Sequence, residues 1–284
     1  MVNERLADLA RDTPETPPGV RLVSGGVLAD LGLGLGLGAR EMELAALAAG
    51  LVPARYLRNM RTYGPAAQAR FLRSRVALAG LGGLGGHLLE LLARAGVGAL
   101  AAADGDVFEE SNLNRQTLCL ADGLGQAKAE AARLRASAVN PAMDCVVRAG
   151  FLDQQGFSEL VQGADLVLDA LGGVAPRLLL RRAAAQAGVP LLTAAVAGTS
   201  GYVALVRPGD PSPTDYFGTG ADEAKPPAEV LLGTPPPTVA LAAALQAAQA
   251  LAFLSDQGST EGSGLAGKML LFDLADMTFA TVSL

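Results

Sequence analysis

Short apolar runs alternate with amphipathic segments along most of the chain, beginning at Arg75. The apolar runs are built from Ala, Leu and Val, and most are followed by a segment whose apolar residues recur with helical spacing. A helix between two consecutive strands returns the chain to the same end of the sheet, so the strands are parallel and the crossovers are right-handed. The pattern therefore predicts an α/β fold with a Rossmann-like, doubly wound sheet. The predicted strands are VALAG (76–80), GALAAAD (98–104), CVVRA (145–149), DLVLDA (165–170) and PLLTAAV (190–196).

The pattern changes after Gly201. A strand, GYVALV, precedes a proline-rich loop at 208–237, an Ala-rich helix and two closing strands, KMLLFDL and TFATVSL, which we expect to be antiparallel. The apolar run within that helix, 238–254, is shorter than the roughly 20 residues that a membrane span needs, and it contains Gln246 and Gln249. We therefore interpret this segment as a buried helix of the core.

The chain before Ala54 has a different pattern, so we predict an N-terminal extension over residues 1–53 and a separate domain over residues 54–284. The extension contains a short amphipathic start, a proline patch and the repeat GLGLGLG at 32–38, which has no packing period and indicates a flexible connector. Beyond it, ARYLRNMRTYGPAAQARFLRS predicts a helix, a turn and a second helix rich in arginine.

Composition and charge restrict the classes of protein that fit the chain. Its 284 residues carry a net charge of −6 and show no general basic surface, so we expect no nucleic-acid partner. The N-terminus has no apolar leader and we expect no membrane partner, which makes the cytoplasm the expected location. The two cysteines, Cys119 and Cys145, are too few for a disulfide framework or a tetrahedral zinc site.

A glycine-rich stretch lies directly after the first predicted strand of this sheet. Gly80, Gly82 and Gly85 form a GxGxxG pattern, with Gly83 inside it, at the start of a helix. Such glycines let the backbone approach a phosphate, and the unpaired N–H groups of the helix start favour an anion. Asp104 ends the next strand, 19 residues beyond Gly85, where its carboxylate can accept hydrogen bonds from ribose hydroxyls. These features predict a bound nucleotide, against the alternative of a purely structural tight turn.

The stretch DGDVFEESNLNRQT, which begins at Asp104, distinguishes between classes of nucleotide. A dinucleotide site leaves the phosphates to backbone amides, whereas a reaction on a triphosphate builds up charge that needs cationic side chains. Arg115 lies within the stretch and Lys128 follows it, and both can supply that charge. Asn112 can bind an oxygen or orient the arginine. We therefore expect a triphosphate.

Taken together, GLGGLG, SNLNRQT, GQAK and the later NP closely resemble the ThiF/MoeB/HesA family, which are bacterial relatives of ubiquitin-activating enzymes. The similarity covers about residues 55–284, and the spacing of SNLNRQ and GQAK is far more specific than the glycines. The resemblance implies that the domain is a ThiF-type adenylyltransferase. It would adenylate the C-terminal Gly-Gly carboxylate of a small ubiquitin-like sulfur-carrier protein, using ATP and Mg²⁺.

The resemblance also implies roles for individual residues. Gly82 and Gly85 are expected to approach the phosphates, Asp104 to bind the ribose, and Lys128 to lie nearest the α-phosphate. The implied nucleotide-binding residues are Gly80, Gly82, Gly83, Gly85, Asp104, Asn112, Arg115 and Lys128.

The same resemblance implies a homodimer with shared active sites. The family segment RYxRQ corresponds to RYLRN in this chain, and its second arginine, here Arg58, reaches into the site of the partner subunit. The implied catalytic residues are therefore Arg115, Lys128 and the Arg58 that the other protomer contributes.

The chain departs from the family pattern at the fourth strand of the sheet. The family has LDCTDN there, whose second Asp helps to hold magnesium, whereas this chain has LDALGG, with Gly172 and Gly173 in place of Asp and Asn. Asp169 keeps the first acid and Asp165 lies slightly earlier, but neither fills the position, so the sequence assigns no protein ligand to the metal. Either ATP and water hold the metal, or a shifted carboxylate does, or the chemistry is weakened or lost.

Two further departures concern cysteine. The two CxxC pairs that hold structural zinc in many relatives are absent, and PGDPSPTDYFG (208–218) stands where the first pair would fall. The crossover loop also has no cysteine for a thioester or a persulfide, which predicts adenylation alone.

The sequence leaves three other functions open. The threonylcarbamoyladenosine dehydratases of the same family activate a tRNA carbonyl, although the weak basic character of this chain disfavours RNA. A non-catalytic relative would bind nucleotide or a partner protein as a dimeric scaffold, and Gly172 favours this alternative. A nicotinamide-dependent oxidoreductase has the same glycine turn, but no acid or base suited to hydride transfer follows it.

Overall fold

The computed structural model describes residues 17, 19–217, 228–256, 264, 265 and 267–284, so the predicted amphipathic start and part of the proline-rich loop lie outside the described residues. The strands are β1 (Arg21–Val23), β2 (Leu51–Pro53), β3 (Arg75–Ala79), β4 (Ala99–Asp104), β5 (Asp144–Ala149), β6 (Leu166–Asp169), β7 (Leu191–Ala197), β8 (Ser200–Val206), β9 (Lys268–Asp273) and β10 (Thr278–Ser283). The α-helices are α1 (Gly25–Leu35), α2 (Ala39–Ala48), α3 (Gly64–Arg73), α4 (Gly83–Ala95), α5 (Lys128–Val139), α6 (Gln154–Val161), α7 (Ala175–Gln186), α8 (Pro213–Phe217), α9 (Ala228–Leu232) and α10 (Pro236–Ser255). Three short 3₁₀ helices are Ala54–Asn59, Glu110–Asn112 and Ala121–Gly123.

The strands β3 to β10 form one sheet in the order β10-β9-β8-β7-β6-β3-β4-β5. Neighbours from β5 to β7 in this order pair in parallel, whereas the pairs from β7 to β10 are antiparallel. The predicted Rossmann-like sheet with antiparallel strands at its C-terminal end is therefore confirmed. Because the chain adds β4 and β5 on one side of β3 and then β6 and β7 on the other, the strand order reverses between β3 and β6. A crevice forms at the carboxyl ends of the strands at such a switch point.

Helices cover both faces of the parallel part of the sheet, because alternate strand residues point in opposite directions. Val76 and Leu78 of β3 pack into a core with α3, α4, α5 and α10. Ala77 and Ala79 of the same strand pack into a second core with α6 and α7. The inner strands β3, β4 and β6 are thus buried on both faces, which explains why they form continuous apolar runs in the sequence.

The helix α10 is the segment that the sequence predicts to be buried. Among the described residues it is the one helix long and apolar enough to cross a membrane, and half of it is buried inside the protein. It packs on α4 and β7. The Gln246 amide donates hydrogen bonds to the backbone carbonyls of Asp169 and Leu192, at 3.0 and 2.8 Å. Since a buried amide needs such partners, Gln246 joins the helix to the sheet, and the interpretation as a core helix is confirmed.

The glycine repeat predicted to be a flexible connector is instead largely helical. Ser24 caps α1, and Leu28 and Gly32 are buried on one side of it. A Cβ on Gly32 would lie 3.0 Å from Met42 Cγ, so this glycine lets α1 and α2 pack closely. The helix ends at Gly36, whose φ of 68° is left-handed and favours glycine. The prediction of a flexible connector is wrong because an analysis of apolar spacing does not count a buried glycine as part of the apolar face of a helix.

The described part of the extension packs against the rest of the chain. β1 pairs in parallel with β2, and Leu22 and Val52 share an apolar cluster with Tyr56. The Tyr56 hydroxyl donates to Glu43 Oε2 at 2.8 Å and accepts from the Asn140 amide at 3.0 Å. These buried polar contacts connect α2 with the segment Ala54–Asn59 and with the end of α5. The boundary at residue 53 stays a prediction.

Candidate functional site

A cavity of about 1290 Å³ opens at the carboxyl ends of the parallel strands, beside the switch point between β3 and β6. Ligands of open α/β sheets bind in this position. The ends of β3, β4, β6 and β7 and the loops after them form the wall. The sequence-predicted site residues that line it are Gly80, Gly82, Gly83, Asp104, Asn112, Arg115 and Lys128. The fold therefore brings together most of the predicted residues, with Gly85 and Arg58 as the exceptions.

The glycine-rich turn between β3 and α4 depends on the absence of side chains. Gly80 has a φ of 91°, and a Cβ on it would lie 2.6 Å from the carbonyl oxygen of Ala170. Gly82 is the N-cap of α4 and provides no side chain to cap the first turn. Together with Gly83 it lines the cavity. The unpaired N–H groups and the positive dipole of this helix end favour an anion there.

Gly85 has a different position from the one that the family resemblance implies. It is buried and does not belong to the cavity wall. A Cβ on Gly85 would lie 1.9 Å from the carbonyl oxygen of Gly80, a distance too short for any side chain. Gly85 therefore allows α4 to pack closely against the end of β3, and the structure gives it a packing role in place of the expected phosphate contact.

Asp104 holds the glycine-rich turn in place. Its Oδ2 accepts a hydrogen bond from the Leu81 N–H at 2.6 Å, and its Oδ1 accepts one from the Asp106 N–H at 2.8 Å. The residue is half-buried at the cavity wall. A carboxylate has about four lone-pair sites, so these two contacts leave capacity for ribose hydroxyls. The ribose contact stays a prediction.

Asn112 organises the loop that carries Arg115. It is buried, and its Oδ1 accepts from the Glu109 N–H at 3.2 Å. Its backbone carbonyl accepts from the N–H groups of Arg115 and Gln116, at 3.1 and 2.9 Å. The Asn112 side chain thus fixes the start of the loop, and its two predicted roles stay predictions.

Arg115 extends along the glycine-rich turn. Its Cγ and Cδ lie 3.7 and 3.8 Å from the position that a Cβ would take on Gly83. Its Nη1 donates to the Ser111 carbonyl at 3.0 Å and to Asn114 Oδ1 at 2.8 Å. In the described part of the chain these contacts occupy one guanidinium nitrogen, so the other two can serve a ligand. The aliphatic stem of Arg115 thus lies beside the N-terminus of α4, and Arg115 lines the cavity.

Lys128 begins α5 and is only 5% exposed. Its Nζ lies 3.0 Å from Asp106 Oδ2, and its backbone N–H donates to the Asp106 carbonyl at 3.0 Å. A buried ammonium requires such a partner. Lys128 and Asp106 both line the cavity. A phosphate that entered the cavity would therefore meet the Lys128 ammonium, whose ion-pair partner is the half-exposed carboxylate of Asp106.

Gln116 lines the cavity but is not among the residues that the sequence predicts. It is 6% exposed, and its Nε2 lies 3.6 Å from the position of a Cβ on Gly82. Its Oε1 is buried and has no hydrogen-bond partner within the described residues. A buried polar atom without a partner indicates a missing ligand or water. The sequence contains a signal for Gln116, because the residue directly follows Arg115 in the run SNLNRQ, from which the other residues of this loop are predicted.

Asp169 is fully engaged inside the protein. Its Oδ2 accepts from Arg177 Nη1 and Thr193 Oγ1, both at 2.7 Å, and its Oδ1 accepts from the Leu171 N–H at 3.0 Å. Arg177 also donates to the Leu171 carbonyl through Nη2. This buried network fixes the turn after β6. Arg177 reaches the cavity wall as well, and sequence reasoning missed it because nothing local marks its pairing with Asp169.

The turn after β6 contains the two glycines that replace the Asp and Asn of the family pattern. Gly173 has a φ of 72°, a conformation that Asn tolerates better than most residues. The nearest atom to a Cβ placed on Gly172 is Glu229 Oε1, at 3.9 Å. The same oxygen accepts from the Gly173 N–H at 3.0 Å. Glu229, on α9, therefore brings a carboxylate to this turn. Because it lies 56 positions after Gly173 in the sequence, the sequence alone does not indicate this contact.

Arg58 lies on the 3₁₀ helix Ala54–Asn59, is exposed, and does not line the cavity of its own chain. Its expected place in the site of a partner subunit stays a prediction.

Neither cysteine has the properties of a nucleophile. Burial raises the pKa of Cys119, and burial raises the pKa of Cys145 to about 11. A thiol that stays protonated at neutral pH is a weak nucleophile. Neither residue lines the cavity. The expectation that the chain forms no thioester of its own stays a prediction.

The parallel sheet, its switch point and the glycine-rich turn at the crevice define a Rossmann-like α/β protein. The chain belongs to the ThiF family, whose model matches residues 56–284. The resemblance inferred from SNLNRQT and GQAK is therefore confirmed.

Individual relatives agree with this membership. The chain is 36% identical over 237 residues to the SAMP-activating enzyme E1 of Haloferax volcanii, and the aligned region covers 80% of this chain and 84% of that protein. It is 32% identical over 242 residues to the sulfur carrier protein adenylyltransferase of Thermus thermophilus, covering 79% and 84% respectively. Among solved structures, E. coli MccB with ATP has a TM-score of 0.68 and 22% identity over 81% of this chain and 70% of that one, a likeness of fold.

Proposed function

We propose that this chain uses ATP to adenylate the C-terminal carboxylate of a ubiquitin-like sulfur-carrier protein. The observation that carries the proposal is the convergence of the α4 N-terminus, Arg115 and the buried Lys128 on one cavity. A helix start and two cations suit a triphosphate better than a neutral ligand. The names of the relatives, a SAMP-activating enzyme and a sulfur carrier protein adenylyltransferase, support the substrate class.

In the proposed reaction a carboxylate oxygen of the carrier attacks the α-phosphorus of ATP. A bond forms between that oxygen and the phosphorus, the bond from the α-phosphorus to the bridging oxygen of the β-phosphate breaks, and pyrophosphate leaves. The product is an acyl-adenylate. The carboxylate is already ionised at neutral pH, so the reaction needs no general base.

Repulsion between the carboxylate and the phosphates is the main obstacle to this attack. Lys128 and Arg115 offset it by placing positive charge at the phosphates, where charge develops in the transition state. The glycine-rich turn lets backbone N–H groups hold the phosphates, which keeps the α-phosphorus in line with the incoming oxygen. Gln116 adds a polar group beside Gly82 in the same cavity.

Mg²⁺ is the expected companion of ATP, and when bound it neutralises phosphate charge. Among the described residues, the acids that line the cavity are Asp104, Asp106 and Glu229. Asp104 accepts backbone hydrogen bonds on both oxygens, and Asp106 holds Lys128. Glu229 is thus the lining carboxylate that fits the metal best.

We also propose a cytoplasmic homodimer in which Arg58 completes the site of the partner subunit. The exposure of Arg58, outside the cavity of its own chain, supports this arrangement. The net charge of −6 supports the absence of a nucleic-acid partner, and the burial of α10 in the core supports the absence of a membrane partner.

A second candidate function is a nucleotide-binding scaffold without turnover. Gly172, which cannot ligate a metal through a side chain, is the specific observation that favours it. Such a protein would bind ATP at the same cavity but would form no acyl-adenylate.

Pyrophosphate exchange into ATP distinguishes the two candidates. The assay uses labelled pyrophosphate and a ubiquitin-like carrier that ends in Gly-Gly, and the matched control is the same carrier without its last glycine. We expect exchange with the intact carrier alone. Absence of exchange with every carrier, together with ATP binding in calorimetry, would favour the scaffold, and absence of ATP binding would reject both functions.

A further inference from the structure

Gly172 leaves the turn after β6 without an acid where the family pattern has one. The acids nearest in sequence do not replace it. Asp169 uses both oxygens in buried hydrogen bonds. Asp165 precedes β6 at the opposite end of the strand, where it accepts from the Arg75 N–H at 2.8 Å. Any replacement has to come from a distant part of the chain.

Glu229 lies beside the turn after β6, next to Gly172 and Gly173. Its Oε1 accepts from the Gly173 N–H at 3.0 Å and lies 3.9 Å from the place of a Cβ on Gly172. Its Oε2 has no hydrogen-bond or ion-pair partner in the described part of the chain. A side chain on Gly172 and the Glu229 side chain would therefore enter the same region of the cavity wall.

We propose that Glu229 is the protein ligand of the Mg²⁺ that accompanies ATP, replacing the acid that is missing at Gly172. The inference rests on the proposed function, because ATP brings the metal. Mg²⁺ in nucleotide sites is bound by one or two carboxylates together with phosphates and water, so a single carboxylate suffices. The described residues contain no cluster of three or more His, Cys, Asp or Glu side chains that could hold a metal.

The hydrogen bond from Gly173 gives the carboxylate a fixed orientation. A ligand whose second atom is held by a backbone donor binds a metal more tightly than a mobile one. With Oε1 held in this way, Oε2 is the oxygen left for the metal. Gln116 Oε1, buried and unpartnered among the described residues of the same cavity, independently indicates that a polar ligand belongs there.

The test compares wild type with Glu229→Gln. Glutamine keeps an oxygen that can accept from the Gly173 N–H, so the turn is retained while the charge is lost. The probe is Mn²⁺, titrated into protein with the ATP analogue AMPCPP and followed by the electron paramagnetic resonance signal of the free ion. Calorimetry with AMPCPP in EDTA measures nucleotide binding without metal. We expect the Mn²⁺ affinity of the complex to fall about tenfold or more in the variant, with little change in metal-free AMPCPP affinity.

A second variant tests position as well as charge. A Cβ on Gly172 would lie 3.9 Å from its nearest atom, and the φ of Gly172 is not in the left-handed region. The turn therefore accepts Gly172→Asp without strain. In the double variant Gly172→Asp with Glu229→Gln, we expect Mn²⁺ affinity to return to within about threefold of wild type. The control is Glu159→Gln, an exposed acid paired with Arg148 and outside the cavity.

The outcomes separate this inference from the proposed function. Unchanged Mn²⁺ affinity in Glu229→Gln, or a loss that Gly172→Asp does not restore, overturns the inference even if pyrophosphate exchange succeeds. If Mn²⁺ binding depends on Glu229 but no carrier supports exchange, the metal site stands and the proposed function fails. A wild-type protein that binds no AMPCPP overturns both.

Discussion

Lys128 Nζ lies 3.0 Å from Asp106 Oδ2, and the pair joins a buried ammonium to a half-exposed carboxylate at the wall of the cavity. The exposed partner can exchange its contact with the lysine for water at little cost. The ammonium has no such freedom, because burial requires that an anion stays beside it. We therefore expect the arrangement to keep a cation inside the site and to let a phosphate replace the carboxylate.

Replacing this lysine tests its part in catalysis. Lys128→Met retains the buried aliphatic stem and removes the charge, so we expect the rate of pyrophosphate exchange to fall by about 10²–10³, as for loss of one group that stabilises transition-state charge. Arg133→Met, on the exposed side of the same helix, is the control. Comparable rates for Lys128→Met and wild type would remove the lysine from the mechanism.

The Asp169–Arg177 pair predicts a large effect on stability. Asp169→Ala leaves the Arg177 guanidinium buried without its anion, and we expect the free energy of unfolding to fall by about 3–5 kcal/mol. Arg148→Ala breaks the exposed pair with Glu159 and should cost about 0–1 kcal/mol. Denaturation in urea measures both. Similar losses for the two variants would contradict the buried network.

Two glycines of the repeat at 32–38 test the helix α1. Gly34 lies inside the helix, and no atom lies within 4 Å of the position that a Cβ on it would take, so Gly34→Ala should stabilise the protein by about 0.5–1 kcal/mol. Gly36 has a φ of 68°, so Gly36→Ala should destabilise it by about 1–2 kcal/mol. Thermal unfolding measures the difference. Equal, small effects at both positions would favour the flexible connector after all.

Glu43 makes the stability depend on pH. Burial raises the pKa of Glu43 above its usual 4.5, while the Tyr56 hydrogen bond and the Arg55 charge lower it. Since the folded state holds this proton more tightly than the unfolded chain, the free energy of unfolding falls as pH rises from 4.5 to the raised pKa. Glu43→Gln lacks this dependence, so we expect its stability relative to wild type to increase from about pH 4 to about pH 7. Urea denaturation across this range is the measurement, and a constant difference would refute the shift.

Subunit mixing tests the proposed role of Arg58. If Arg58 acts in the partner's site, a heterodimer of Arg58→Ala and Lys128→Ala has one intact site. Unfolding and refolding an equal mixture of the two inactive variants should restore roughly a quarter of wild-type exchange activity, because half of the dimers are mixed. Each variant refolded alone is the control. A mixture as inactive as its components would place Arg58 outside the partner's site or exclude the dimer.

The sequence by itself determined the features that depend on local periodicity and on contiguous motifs. The pattern of apolar runs indicated the order and the bounds of β3 to β10 to within a residue or two, most directly for β3, β4 and β6, which are buried on both faces. The pattern does not predict α6, which has only eight residues, and it misassigns α1, whose repeated glycines are typical of a loop. The glycine turn and SNLNRQ identified one side of the cavity because each is a continuous run.

Only the tertiary structure decided which distant residues meet. Glu229 reaches Gly173 and Asn140 joins Tyr56 through contacts between elements far apart in sequence. Arg177 joins Asp169, eight residues earlier, to Thr193 on the neighbouring strand. Such contacts leave no periodic signal, because each side chain is positioned by the packing of its own helix or strand and not by its neighbours along the chain. The sequence therefore located the glycine-rich side of the cavity, and the fold decided that Glu229 lies at the turn after β6.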